Sequence, residues 1–423
     1  MKLDHILFAS AALILLSGCG DGATSGSPAV ALMAPALPPP AVSPTPLAAP
    51  SSVSKASGVI DVYAIAPVAG QVNDSYVQVP AIVSTDTAIY GKRTYQGGPG
   101  IARVGNRIWA AWTADTKPSA WEGPGNFIVL VYSDNAGLTW SPETYLAPAN
   151  PTTDRAFLPT LWLAPDGKLW VLYAQGGNGQ IIDGQFGSWA TVISNPLAAK
   201  PTFEPGFWLA DGVPCSPFKV GSNWYLPSDY YYITPRFPSR AGKVLFGLDW
   251  ANHKAAQVGY VPRSRNADFD ESTYIGLKDG SVLSQSRSYG GILQSQSAPG
   301  TFTFPAPQLW GKYIAAPSRH VLTRSPTGRL VMVWNMSDAS RSNMSIALSE
   351  DEGKTWSTPY TFDTRTDISY PAVDFNPNNG NILITYDDSR AGAREIVLAR
   401  INEGKLAAGA PVALVGTLNK PRR

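Results

Sequence analysis

Short apolar runs alternate with glycine-containing turns along most of this chain, with almost no helical periodicity. The unit that recurs is an apolar strand, a turn with Gly, and a second apolar strand ending in polar residues. Six such hairpins can be read: 100–115, 158–175, 214–229, 271–288, 318–338 and 370–390. Their turn glycines are Gly105, Gly167, Gly221, Gly280, Gly328 and Gly380, spaced by 62, 54, 59, 48 and 52 residues. A lone hairpin cannot bury both of its faces, and a repeat of about 50 residues is the length of a propeller blade. The pattern therefore predicts an all-β chain folded as a six-bladed β-propeller.

One turn is written twice. SDNAGLTW begins at Ser133 and SEDEGKTW at Ser349, 216 residues or four repeats apart. The copies share Ser, Gly, Thr and Trp, and each carries Asp inside the turn. They fall after the third strand of blades one and five. Short polar side chains can bond the backbone of a tight turn, Gly supplies positive φ, and Trp packs between strands. The motif is read as structural.

The flanks set the boundaries. Residues 1–18 have a Lys at position 2 and an apolar run, Ile6–Leu16, too short to span a bilayer, which reads as a secretory signal. Leu-Ser-Gly-Cys at 16–19 resembles the bacterial lipoprotein signal, which would lipidate Cys19 and anchor the chain to a bacterial cell envelope. Gly20 points to the outer membrane if the organism is Gram-negative. Residues 19–58 are rich in Ala, Pro, Ser and Gly and read as a tether. The propeller is assigned to 59–413 and a basic tail to 414–423.

Composition removes several classes. Net charge is +2, and the one basic run is the terminal KPRR, so nucleic acid is not expected. Beyond Cys19 the only thiol is Cys215, and beyond the leader the only histidines are His253 and His320. No disulfide, metal cluster or cofactor is expected, and the domain is expected to be monomeric.

In a propeller, the start of a blade's first strand and the end of its second share one rim, opposite the turn glycines. The rim positions include Arg93, Asp115, Asp211, Asp229, Glu271, Arg287, Arg319, Asp338, Tyr370, Asp387, Asp388 and Arg390. Trp109, Trp112, Trp121, Tyr230 and Tyr231 fit sugar stacking or packing between blades equally well.

Two such boxes in a six-bladed array resemble the sialidase (neuraminidase) superfamily over about residues 90–400. Glu271, the turn Asp279–Gly280 and Arg287 fit the family's fourth blade. Tyr370 and the later Ile384-Thr385-Tyr386-Asp387 fit its last blade, with Asp387 in place of Glu. The resemblance implies a retaining exo-glycosidase for an acidic terminal sugar. Tyr370 would be the nucleophile, Glu271 its base and Asp115 the acid/base, with Glu122 on the following loop as an alternative. Arg93, Arg287 and Arg319 would bind a substrate carboxylate, with Arg341 as the rival of Arg319. The chemistry is coherent, because a neutral phenol is not repelled by a substrate carboxylate as an Asp or Glu nucleophile would be. This chain has Lys92-Arg93-Thr94-Tyr95 where the family has an aromatic-Arg-Ile-Pro sequence. Two other readings therefore stand beside it: a hydrolase or lyase for another acidic polysaccharide, and a non-catalytic glycan-binding propeller.

Overall fold

The computed structural model describes residues 77–117, 122–177, 186–230, 242–262, 271–338 and 340–421. The leader with Cys19, the tether, Trp121 and Tyr231 lie outside the described residues. Six antiparallel sheets follow one another along the chain, each built from consecutive strands. Blade one runs Tyr95–Val104, Arg107–Asp115, Phe127–Ser133 and Thr144–Ala147, with Ile82–Ser84 added at its outer edge. Blade two runs Arg155–Leu163, Leu169–Gly176, Gly187–Ile193 and Phe207–Asp211. Blade three has a divided first strand, Val213–Pro214 and Phe218–Val220, then Asn223–Tyr230, Gly242–Asp249 and Lys254–Pro262. Blade four runs Ser272–Gly276, Val282–Ser288, Gly291–Gln296 and Gln308–Leu309. Blade five runs Val321–Arg324, Leu330–Asn335, Ser342–Ser349 and Tyr360–Thr366. Blade six runs Ile368–Asn376, Asn381–Asp388, Glu395–Asn402 and Ala413–Asn419.

The expected six blades are therefore present, and all six turn glycines have positive φ, between 57° and 93°. Strands between neighbouring blades are covered on both faces, which is why Arg107–Asp115 is buried throughout despite its polar ends. Trp109, Trp112 and Tyr230 are core residues, at 2%, 0% and 5% exposure, and are not placed for stacking on a sugar. One boundary is corrected. Residues 414–419, assigned above to the tail, complete with Ala413 the outer strand of blade six, hydrogen-bonded to Glu395–Asn402.

The repeated turn is the same device in both places. The Ser133 and Ser349 hydroxyls accept from Gly137 N and Gly353 N at 2.8 and 2.9 Å. The third position, Asn135 or Asp351, accepts from Thr139 N or Thr355 N at 2.9 and 2.8 Å. Asn135 thus does in the first copy what Asp351 does in the second, while Asp134 turns outward to an ion pair with Arg107.

The first strands line a channel of about 690 Å³ on the axis, with Ala102, Leu161, Lys219, Ile275, Leu322 and Val373 among its walls. Three of these strands break register at one level, between Gly97 and Gly100, Phe157 and Thr160, and Ser369 and Ala372. Each break contains a residue of positive φ followed by proline: Gly98 (61°), Leu158 (49°) and Tyr370 (56°). Proline has no N–H for the ladder, so the strand bulges. The left-handed region costs a non-glycine residue about 1–2 kcal/mol, so Tyr370 is held there by its surroundings.

Polar groups latch blade to blade at this level. Leu158 N donates to Thr113 Oγ1 at 2.8 Å, Ser272 N to Asp229 Oδ2 at 2.8 Å, and Leu322 N to Thr273 Oγ1 at 3.1 Å. Asn335 Nδ2 donates to Ile368 O at 2.9 Å. Blade six closes on blade one through Gly98 N to Asp387 Oδ2 at 2.7 Å and Gln96 N to Arg390 O at 3.0 Å.

Candidate active site

The bulge in blade six turns Tyr370, the residue before Pro371 of the channel wall, toward the Glu271–Arg287 end of blade four. The Tyr370 hydroxyl donates to Glu271 Oε1 at 2.5 Å and accepts from Arg287 Nη1 at 2.9 Å. Arg287 Nη1 also donates to Glu271 Oε2 at 2.5 Å. Residues 99 positions apart thus form one closed triangle of phenol, carboxylate and guanidinium. Tyr370 and Glu271 are each 5% exposed.

Two more arginines bear on the phenol. The Arg390 guanidinium carbon lies 3.9 Å from the Tyr370 ring centre and that of Arg341 lies 5.1 Å from it. Arg390 donates to Asp387 Oδ2 at 3.0 Å and to Glu122 Oε1 at 2.6 Å. The Arg341 carbonyl accepts from Ile368 N at 3.0 Å, but its guanidinium makes no hydrogen bond or ion pair among the described residues, leaving the fork available. Phe157, Leu158 and Phe186 pack beside Tyr370 as an apolar wall.

Burial and the Glu271 charge push the Tyr370 phenol up, against the pull of Arg287, Arg341 and Arg390, so it is neutral at physiological pH. Burial also raises Glu271, but Arg287 first, then the Tyr370 hydrogen bond, Arg319 and Arg341, outweigh it. The carboxyl is held below its usual range and is ionised. A phenol proton pointing at a carboxylate, with a guanidinium on the phenol oxygen, is poised to release the proton as the oxygen attacks.

Not every residue named from sequence arrives here. The structure brings together Tyr370, Glu271 and Arg287, and Arg319 stands on the channel wall close enough to Glu271 to lower its pKa. Arg93 is elsewhere. Its guanidinium is bidentate on Glu143 at 2.7 and 2.8 Å, with Asn419 beside it. Asp115 is also turned away: Oδ1 accepts from Lys117 N and Oδ2 from Asn126 Nδ2, both at 2.8 Å, and it is 2% exposed. Burial raises its pKa. The rim reading included Arg390 but gave it no role. Its signal was Gly97, since a Cβ there would lie 2.7 Å from the Arg390 side chain. Among the described residues no cluster could hold a metal ion.

The fold is a six-bladed β-propeller, and sialidase propellers are among the solved structures similar to it. Residues 246–384 match the BNR repeat-like domain. No curated protein sequence matches the chain. Among solved structures it is similar to a Dyadobacter fermentans protein of unknown function, with 15% identity over 74% of this chain and 95% of that one, TM-score 0.52. It is also similar to a mutant of the NanB sialidase of Streptococcus pneumoniae, with 12% identity over 75% and 68%, TM-score 0.53. The intramolecular trans-sialidase of Ruminococcus gnavus gives 12% identity over 72% and 93%, TM-score 0.53.

Proposed function

We propose that this chain is a retaining exo-glycosidase for a terminal sugar bearing a carboxylate, with Tyr370 as nucleophile. The observation that carries the reading is the hydrogen bond from Tyr370 to Glu271 at 2.5 Å, with Arg287 on both groups. Glu271 takes the phenol proton as Tyr370 attacks the anomeric carbon. The covalent sugar is then released to water. Arg341 is best placed to grip the carboxylate because its fork is unspent; Arg287, Arg390 and Arg319 supply positive field around it. For the acid/base, Glu122 is favoured over Asp115. It is 39% exposed, and Arg390 links it to the Tyr370 ring. Both Asp115 oxygens are already engaged.

A second reading rests on Arg93. Its bidentate pairing with Glu143 removes one of the three arginines that the sialidase resemblance implied. That departure from the sialidase pattern is what supports a hydrolase or lyase for a uronic-acid polysaccharide. In either case the leader would place the enzyme on the bacterial cell surface by a lipid on Cys19. Palmitate labelling lost in Cys19→Ala tests the anchor.

The activity test is fluorophore release from 4-methylumbelliferyl sialoside and glucuronide by residues 55–423. Wild type should cleave one of them, and Tyr370→Phe should lose at least about a hundredfold in kcat. Full rate in Tyr370→Phe would remove the nucleophile. Strong glycan-array binding without cleavage would leave a binding module.

A further inference from the structure

Two ionisable side chains of blade three lie inside the fold and take no part in the triangle. Asp229 and Lys243 face each other in the sheet register, at 2% and 0% exposure. Both reach across to blade four. Asp229 Oδ2 accepts from Ser272 N at 2.8 Å and from the Cys215 thiol at 3.1 Å, and its Oδ1 accepts from Ser272 Oγ. Lys243 Nζ donates to Ser286 Oγ at 3.0 Å. Ser272 and Ser286 are themselves register partners. Ser272 follows Glu271 and Ser286 precedes Arg287, whose N–H closes the strand pair on Glu271 O at 3.1 Å.

We infer that Asp229 and Lys243 are positioning residues that clamp the two backbone steps from which Glu271 and Arg287 project, and so set the carboxylate–guanidinium pair against Tyr370. The mechanistic half of this inference rests on the glycosidase reading; the positional half does not. Buried charges are a poor way to gain stability, since apolar residues of equal size often do as well. What their hydrogen bonds add is direction. Ser272 offers Asp229 two donors fixed by one residue's backbone and side chain, which sets both the height and the rotation of the strand beside Glu271. Lys243 does the same for the opposite strand through one bond. The contact they protect is short, and a displacement of about 1 Å would break it.

The test uses the whole chain labelled with 3-fluorotyrosine. The Tyr370 ¹⁹F resonance is assigned by its loss in Tyr370→Phe, and its shift in Glu271→Gln marks the uncoupled phenol. In Asp229→Asn, which puts an amide where two donors point, the resonance should move most of the way to the Glu271→Gln value. With a cleavable substrate, kcat should fall about tenfold or more while KM stays within about twofold. Asp229→Glu should not restore it, because the longer side chain cannot meet Ser272 in the same place. If Asp229→Asn does not fold, Ser272→Ala and Ser286→Ala leave both charges in place and should give the same movement at smaller size. A Tyr370 resonance unmoved in every folded variant overturns the inference. A moved resonance in a protein that cleaves nothing upholds the clamp and removes the glycosidase reading alone.

Discussion

Replacing His320 by leucine should change how this protein responds to acid. His320 is 3% exposed, and among the described residues neither ring nitrogen has a hydrogen-bond partner. Burial lowers its pKa from 6.5 to about 4, with Arg319 adding to the effect and Glu271 opposing it. The unfolded chain takes up a proton as pH falls below 6.5, while the folded protein does not until about 4. Stability tied to this group is thus fully present above 6.5 and drains away as pH falls through about 4. At about 1.4 kcal/mol per tenfold, the difference comes to ~3 kcal/mol. Asp229 runs the other way. Burial raises it from 3.8 to about 7, above its value in the unfolded chain, so the folded state grows less stable as pH rises from about 4 to 7. That is ~4 kcal/mol by the same conversion. In the wild type these two slopes nearly cancel. Urea unfolding followed by tryptophan fluorescence at several pH values between 4 and 7.5, with the variant read against the wild type, isolates the His320 part. His320→Leu should gain ~3 kcal/mol on the wild type between pH 7 and pH 4. Curves of stability against pH that run parallel for wild type and variant would refute the reasoning, because they would mean that the ring is charged or solvated in the folded state.

Further substitutions test other parts of the structure. Glu271→Gln should cut kcat by about 10²–10⁴ by removing the proton acceptor, with the far-ultraviolet circular dichroism spectrum unchanged. Gly97→Ala should push Arg390 off the Tyr370 ring and raise KM about tenfold, read by steady-state kinetics. Thr113→Val leaves the buried Leu158 N–H without its acceptor and should cost about 1–3 kcal/mol in urea unfolding. Trp334→Ala, deep in blade five, should cost about 3–5 kcal/mol by the same measurement.

The blades were legible because their period is carried by backbone necessity. Each hairpin needs a residue of positive φ at its tip, and glycine marks all six. Tyr370, Glu271 and Arg287 were legible for a related reason, since they sit at fixed places in that repeat. What sequence did not reveal is where long side chains turn. Arg93 precedes blade one as expected, yet it finds Glu143 fifty residues on, and the space beside Tyr370 is filled by Arg390 from the other end of the chain. That exchange depends on Gly97 having no side chain, a steric fact visible only when blades one and six are adjacent. Asp115 was read as the acid/base because Asn126, which engages its carboxylate, lies on the far side of a loop. The strand Ala413–Asn419 was missed because an edge strand is covered on one face only, so its pattern is weak.

The ring has a seam. Among the described residues no strand is exchanged between its first and last blades, so the two ends of the domain are held by one apolar cluster, with Ile101 and Val131 beside Leu383 and Leu398, and by hydrogen bonds of groups such as Gln96, Gly98, Asp387 and Arg390. Two of these stitches border Tyr370. An anion drawn to the guanidinium groups there would tighten the fastening as it docks, so occupancy and ring integrity are one equilibrium. Amide exchange at Gln96 and Gly98 should slow when an inhibitor fills the pit, although neither amide belongs to the phenol–carboxylate pair.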